Sequence, residues 1–223
     1  MKPICISEDA EMQRSRLSAA GRSLSRRGWM PGTFGSLSLR SGEAVMITAE
    51  GQSRRTLSRR DTVMVDPFDG LPLSGETEWP PAEILLHLAI YRQVHDCRAV
   101  VHAHPPHATA LATLTGRAGF LGRAVFPELE LAKALGASDP HLLAIPVFAN
   151  LPEVSRIADE LTAHLKEAAT DAPPALLIDR HGVVTWGRDL DEARNRLECL
   201  EELSHLTLLT GAFAHGAVTG NVR

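Results

Sequence analysis

Apolar and polar residues along the chain recur with two different periods, and the switches between them mark out helices and strands. Met12 to Arg27 reads as a helix, and Arg27-Gly28-Trp29-Met30-Pro31 ends it with a glycine and a proline that cannot continue it. Ser36 to Arg40 and Ala44 to Thr48 are short alternating or branched segments around Ser41-Gly42-Glu43, a hairpin pattern, and Thr62 to Asp66 predicts another strand. After the turn-rich DPFDGLPLSGETEWPP, Ile84, Leu85, Leu88 and Ala89 share one side of a predicted helix from Glu83 to Val94, while Glu83, His87 and Tyr91 share another stripe. Arg98 to His104 predicts a strand, Ala108 to Leu114 and Glu128 to Leu135 helices, Leu142 to Phe148 a strand and Pro152 to Ala168 a helix. Ala175 to Thr185 reads as paired strand material interrupted at Gly182. Asp189, with Glu192 three residues later, predicts a capped helix that carries Leu197, Leu200 and Leu203 inward and ends near Leu209.

Strands and helices interleave, which predicts an α/β sandwich of helices on a mixed sheet. No repeat or linker divides the 223 residues, so one domain over 1–223 is expected, with a glycine-rich tail, 210–223, expected to be mobile. Charge narrows the function: 23 Lys and Arg against 27 Asp and Glu leave a formal charge of -4, without the basic field that nucleic-acid backbones demand. The Arg-rich runs Arg22–Arg27 and Arg54–Arg60 read as solvated faces. Cysteines at 5, 97 and 199 lack the spacing of a disulfide framework or a thiolate zinc site. The chain opens without an apolar leader, and no apolar stretch approaches the roughly 20 residues of a membrane span. A soluble cytoplasmic protein is therefore expected, without membrane or nucleic-acid partners.

The stretch VVHAHPPHATALA, Val100 to Ala112, adds candidate chemistry. On a strand, His102 and His104 emerge from one face with their imidazoles a few ångströms apart, and Pro105-Pro106 ends the strand where a site can open. Such a pair suits two ligands of one ion but is equally compatible with two polar residues at a strand exit. A catalytic zinc usually keeps three protein ligands and one open position, so a third donor is required. His181, at the end of the apolar strand in ALLIDRHGVVTWGRD and followed by a glycine, is the candidate. The other histidines have helix-face, surface or tail readings, with His107 the nearest competitor.

Several segments, in order, resemble the class II aldolase/adducin family: RGWMPGTFGSLSLR, MITAEGQSRRTLSRRDTVMVD, PPAEILLHLAIYR, AVVHAHPPHATALA and LLIDRHGVVTWGRDLDEARNRLECLEEL. They cover most of residues 20 to 205. The final segment, with IPVFAN and PELELAKAL, is most similar to the dehydratase branch of that family, which removes water from a methylthio-substituted ketopentose 1-phosphate in methionine salvage. The resemblance implies an α/β/α sandwich around a mixed, mostly antiparallel sheet. It also implies one zinc per subunit on His102, His104 and His181, and a homotetramer with sites between subunits.

The resemblance further implies that the substrate phosphate is held by two loops, here Gly35-Ser36-Leu37-Ser38 and Thr48-Ala49-Glu50-Gly51, through Gly35, Ser36, Thr48 and Gly51. Ser36 replaces the usual asparagine, and Glu50 brings an acid into a phosphate loop; Arg54 or Arg55 could supply the missing positive charge. Two carboxylates compete for acid-base work. Glu83 stands at the aldolase position, in Pro80-Pro81-Ala82-Glu83 without the usual serines, and Glu130 at the dehydratase position in FPELELAKAL, with Glu128 beside it. The intact dehydratase position favours Glu130. An aldolase using Glu83, which would break a carbon-carbon bond, is the first alternative. A catalytically silent, adducin-like interaction protein is the second.

Overall fold

In the computed structural model, which describes residues 8–116, 121–127, 129–136, 143–168 and 173–211, one sheet runs through the chain. The elements follow in the order α1 (Glu8–Arg26), β1 (Ser36–Ser41), β2 (Ala44–Thr48), β3 (Thr62–Val65), α2 (Ile84–Gln93), β4 (Ala99–Ala103), α3 (Pro106–Thr115) and β5 (Gly122–Val125). A 3-10 turn (Glu130–Leu135) leads to β6 (Ala144–Phe148), α4 (Val154–Ala168), β7 (Ala175–Ile178), β8 (Gly182–Gly187) and α5 (Leu190–Thr210). Eight strands form the sheet in the order β3-β2-β1-β4-β8-β7-β6-β5. Among the described residues only β6 and β7 run parallel, so the sheet is mixed and mostly antiparallel, as expected.

Alternation along each strand sorts the core into two layers. On β4, Ala99, Val101 and Ala103 pack with α1, α3 and α5, whereas Val100 faces α2 and α4. The central strands β4, β7 and β8 are buried on both faces, which is why AVV, ALLI and GVV read as continuous apolar runs. At full burial each Leu, Ile or Val contributes about 1.5–3 kcal/mol. That drive leaves a polar residue on such a strand only where something inside demands it.

Asp189 caps α5 as expected, accepting from the Glu192 N–H at 2.8 Å, but Glu192 reaches back to the Arg188 N–H at 2.6 Å and not to Asp189. Elsewhere the chain departs from the expectations. The predicted helix at 128–135 is only the 3-10 turn, ended by Gly136 at φ 77, and Glu128 lies outside the described residues, as do 212–223 of the tail. The strand β5 lies outside the predicted elements: Gly and Ala are depleted in strands, and this edge segment pairs with its antiparallel partner β6. The break in 175–185 falls at Asp179–His181, with Arg180 in the left-handed region at φ 52, so the hairpin turns before Gly182.

Candidate metal centre

β4 and β8 are neighbours, with His102 opposite Val184 and Ala103 opposite Val183. His102 therefore lies on the α2 face of the sheet, His104 follows just past the strand end, and the tight β7-β8 turn brings His181 beside both. The ring centroids are 4.8 Å (His102 to His104), 5.0 Å (His102 to His181) and 5.3 Å (His104 to His181) apart. One nitrogen from each ring can be chosen so that all three lie within 4.8 Å of one another.

Hydrogen bonds fix which nitrogen that is. The Nδ1–H of His102 donates to the Val183 carbonyl at 3.0 Å, and that of His104 to the His181 carbonyl at 2.6 Å. A carbonyl can only accept, so both rings carry the proton on Nδ1 and a bare lone pair on Nε2. The His104 Nε2 is buried without a partner. The Nε2 atoms of His102 and His181 are 3.2 Å apart, close to the roughly 3.4 Å edge of a tetrahedron built on ~2.1 Å metal–nitrogen bonds. Burial, followed by the neighbouring imidazoles, holds His102 well below the usual histidine range; burial first also lowers His104 and His181. Three neutral imidazoles with an orphaned acceptor among them fit a divalent cation.

The stripe Glu83, His87, Tyr91 faces this site and the strand beside it. His87 is fully buried and pushed down to about 3 by burial, so it is neutral and bonds the Ser36 hydroxyl at 3.0 Å and the Ser38 hydroxyl at 2.7 Å. The Tyr91 hydroxyl completes the chain of contacts at 2.9 Å from Ser38. Glu83, one turn earlier, precedes α2, and its charge acts on His104, His181 and Arg54. Glu130 is elsewhere: its side chain is 88% exposed, 3.4 Å from Lys133, on a turn whose Ala132 and Leu135 pack into the α1, α3, α5 layer. Within one chain the structure brings Glu83, not Glu130, to the histidines.

The two loops expected to hold the phosphate use several of their polar groups within the fold. Ser36 is buried with its hydroxyl on His87, and the Thr48 hydroxyl accepts from the Leu37 N–H at 3.1 Å, so both are used inside the sheet. The N–H groups of Ala49 and Glu50 bond the carbonyls of Asp61 and Trp79. Gly35 remains special: at φ 85, a Cβ there would lie 2.9 Å from the His102 carbonyl oxygen. Gly51 adopts φ 71 in open space.

Arg54, read as part of a solvated run, is 1% exposed. Its Nε donates to the Gly35 carbonyl and its Nη1 to the Ala49 carbonyl, both at 2.8 Å, so one guanidinium ties the two glycine loops together. Burial lowers its pKa to about 10, which still leaves it charged at neutral pH. Arg55 is exposed, as the solvated reading expects.

No local pattern in the sequence marks Asn150 as a site residue. Its Oδ1 is 3.3 Å from the His181 Nδ1, a contact visible only once the strand order is known.

Among the described residues, no helix is long and apolar enough to cross a membrane. The chain matches the Class II Aldolase and Adducin N-terminal domain family over residues 15–208. It is 44% identical over 197 residues to a protein of Nocardia farcinica named as a probable bifunctional methylthioribose-1-phosphate isomerase/methylthioribulose-1-phosphate dehydratase. That alignment covers 88% of this chain but only 35% of the relative, so the chain spans about a third of its length. A methylthioribulose-1-phosphate dehydratase of Methylococcus capsulatus is 35% identical over 199 residues, covering 88% of this chain and 93% of that one. The crystal structure of YgbL from Escherichia coli superposes with a TM-score of 0.75 at 31% identity over 91% of each chain. With this fold, the three converging histidines and a match over most of its length, the chain belongs to the class II aldolase/adducin family.

Proposed function

We propose that the protein removes water from 5-methylthioribulose 1-phosphate, giving 2,3-diketo-5-methylthiopentyl 1-phosphate in methionine salvage. The assignment includes zinc at His102, His104 and His181, a cytoplasmic setting and a homotetramer. The observation that carries it is the convergence of the three imidazoles, in a chain alignable along nearly the whole of a relative with that activity. Exposed Phe34 and Trp79 border the two glycine loops and support a site that lies against a neighbouring subunit.

A bound divalent cation supplies Lewis-acid stabilisation of the negative charge that develops on the carbonyl oxygen of carbon 2. The chain's own groups do the rest. The Gly35 and Gly51 loops, clipped by the charged Arg54, offer backbone and positive charge for the phosphate. Glu83, whose charge reaches His104 and His181, is assigned removal of the proton on carbon 3. The hydroxyl on carbon 4 then leaves with a proton as water, and the resulting enol takes a proton on carbon 4 to become the diketone. Glu130, on its exposed turn beside Lys133, is assigned as donor to the departing hydroxyl, a role that requires its approach during the reaction.

The test follows 5-methylthioribulose 1-phosphate in heavy water with zinc-loaded protein. Glu83→Gln is expected to lose both deuterium exchange at carbon 3 and turnover, whereas Glu130→Gln is expected to lose turnover and keep exchange. A second reading, aldol cleavage, is favoured by Glu83 at the aldolase position beside the histidines. Triose phosphate formed without diketone would establish it in place of dehydration.

A further inference from the structure

The three histidines are not held alike. His102 and His104 give their Nδ1–H groups to carbonyls of the β8 hairpin, and no side-chain substitution removes those acceptors. His181 has only a side chain at its Nδ1, the Asn150 amide at 3.3 Å. The fold explains how the two meet. β6 and β7 pair in parallel, with Phe148 opposite Ile178, so the chain leaves both strands at the same end of the sheet. Asn150 lies two residues past Phe148 and His181 three past Ile178, and the Asp179 N–H bonds the Phe148 carbonyl at 2.9 Å to lock the two loops together.

We infer that Asn150 is the positioning residue for the third imidazole, setting both its tautomer and its orientation; this rests on the reading of the three histidines as a metal centre. An amide, unlike a carbonyl, can accept or donate. With its oxygen toward Nδ1, it holds the proton there and leaves Nε2 bare for a cation, matching His102 and His104. With its nitrogen toward Nδ1, His181 carries its proton on Nε2, 3.2 Å from the bare His102 Nε2, and forms a hydrogen bond to it. Asn150 thus serves the site with and without its ion. Aspartate can only accept, and leucine can do neither.

The experiment measures zinc dissociation constants by chelator competition for the wild type, Asn150→Leu and Asn150→Asp. Imidazole nitrogen chemical shifts report the His181 tautomer in the metal-free proteins, and thermal melts report folding. Asn150→Leu is expected to weaken zinc binding about 10- to 100-fold, the usual effect of losing an outer hydrogen bond to a ligand. Asn150→Asp is expected to bind at least as tightly as the wild type and to place the His181 proton on Nδ1. An Asn150→Leu affinity equal to wild type, or an Asn150→Asp affinity as weak as Asn150→Leu, overturns the assignment while leaving the metal centre standing. A wild type that takes up no zinc overturns both.

Discussion

The six residues from His102 to His107 supply histidines to two different environments. His102 and His104 give their Nδ1–H groups to neutral carbonyls and turn bare Nε2 atoms toward His181. His107, beyond the two prolines, bonds a carboxylate, with its Nδ1 2.7 Å from Glu201 Oε1, and its ring stacks on His205 at 4.1 Å. Glu201 also accepts from the His107 N–H at 3.1 Å and the Ala108 N–H at 2.8 Å. It therefore serves as the N-terminal cap of α3, because Pro105 at the cap position has no side-chain acceptor. Proximity of imidazoles does not make a metal centre. What separates the two sites is whether the acceptors at Nδ1 leave several lone pairs aimed at one point.

The sharpest break of that comparison is His102→Ala against His107→Ala. His102→Ala is expected to abolish stoichiometric zinc and lower turnover by more than about 100-fold, with the fold retained. His107→Ala is expected to keep full zinc content; elemental analysis and steady-state rates of both variants decide it. Next in size, Glu201→Ala leaves the α3 N–H groups without their cap and should cost about 2 kcal/mol. For a chain of this length that lowers the melting temperature by about 4–8 °C. Zinc content should not change, and a loss of zinc would show that the two sites are coupled. The third test concerns pH. His87 is held down to about 3 in the folded protein, whereas in the unfolded chain it takes up a proton below about 6.5. Its contribution is therefore complete above 6.5 and is lost progressively as pH falls toward 3, with a limiting slope of about 1.4 kcal/mol per pH unit. Denaturation of metal-free wild type and His87→Gln between pH 6.5 and 4 should show the shallower slope in the variant.

Legibility in the sequence followed the range of the interaction. The alternation of His102 and His104 is a local consequence of strand geometry, and the stripe Glu83, His87, Tyr91 is a local consequence of helix geometry, so both could be read directly. Ser36 and Ser38 alternate with the core residues Leu37 and Leu39, a sign that both hydroxyls turn to the opposite face of the sheet, where His87 of α2 bonds them. Arg54 looked solvated because its neighbours Arg55 and Arg59 are; only the two carbonyls facing it, from separate loops, explain its burial. Asn150 and Glu201 depend on which strands and helices become neighbours, information that no local pattern contains. The same holds for the contrast between Glu83 and Glu130: the motif pattern favours Glu130, whereas the folded chain brings Glu83 near the histidines.

The adjacency of β4 and β8 also bears on when the three imidazoles come together. His102 and His181 are separated by 79 residues, so no amino-terminal fragment ending before residue 181 contains all three donors. An ion held by three imidazoles adds stability by mass action only to molecules in which that long-range pairing is complete. Uptake of a divalent cation during refolding should accordingly mark the zipping of the β7-β8 hairpin onto β4.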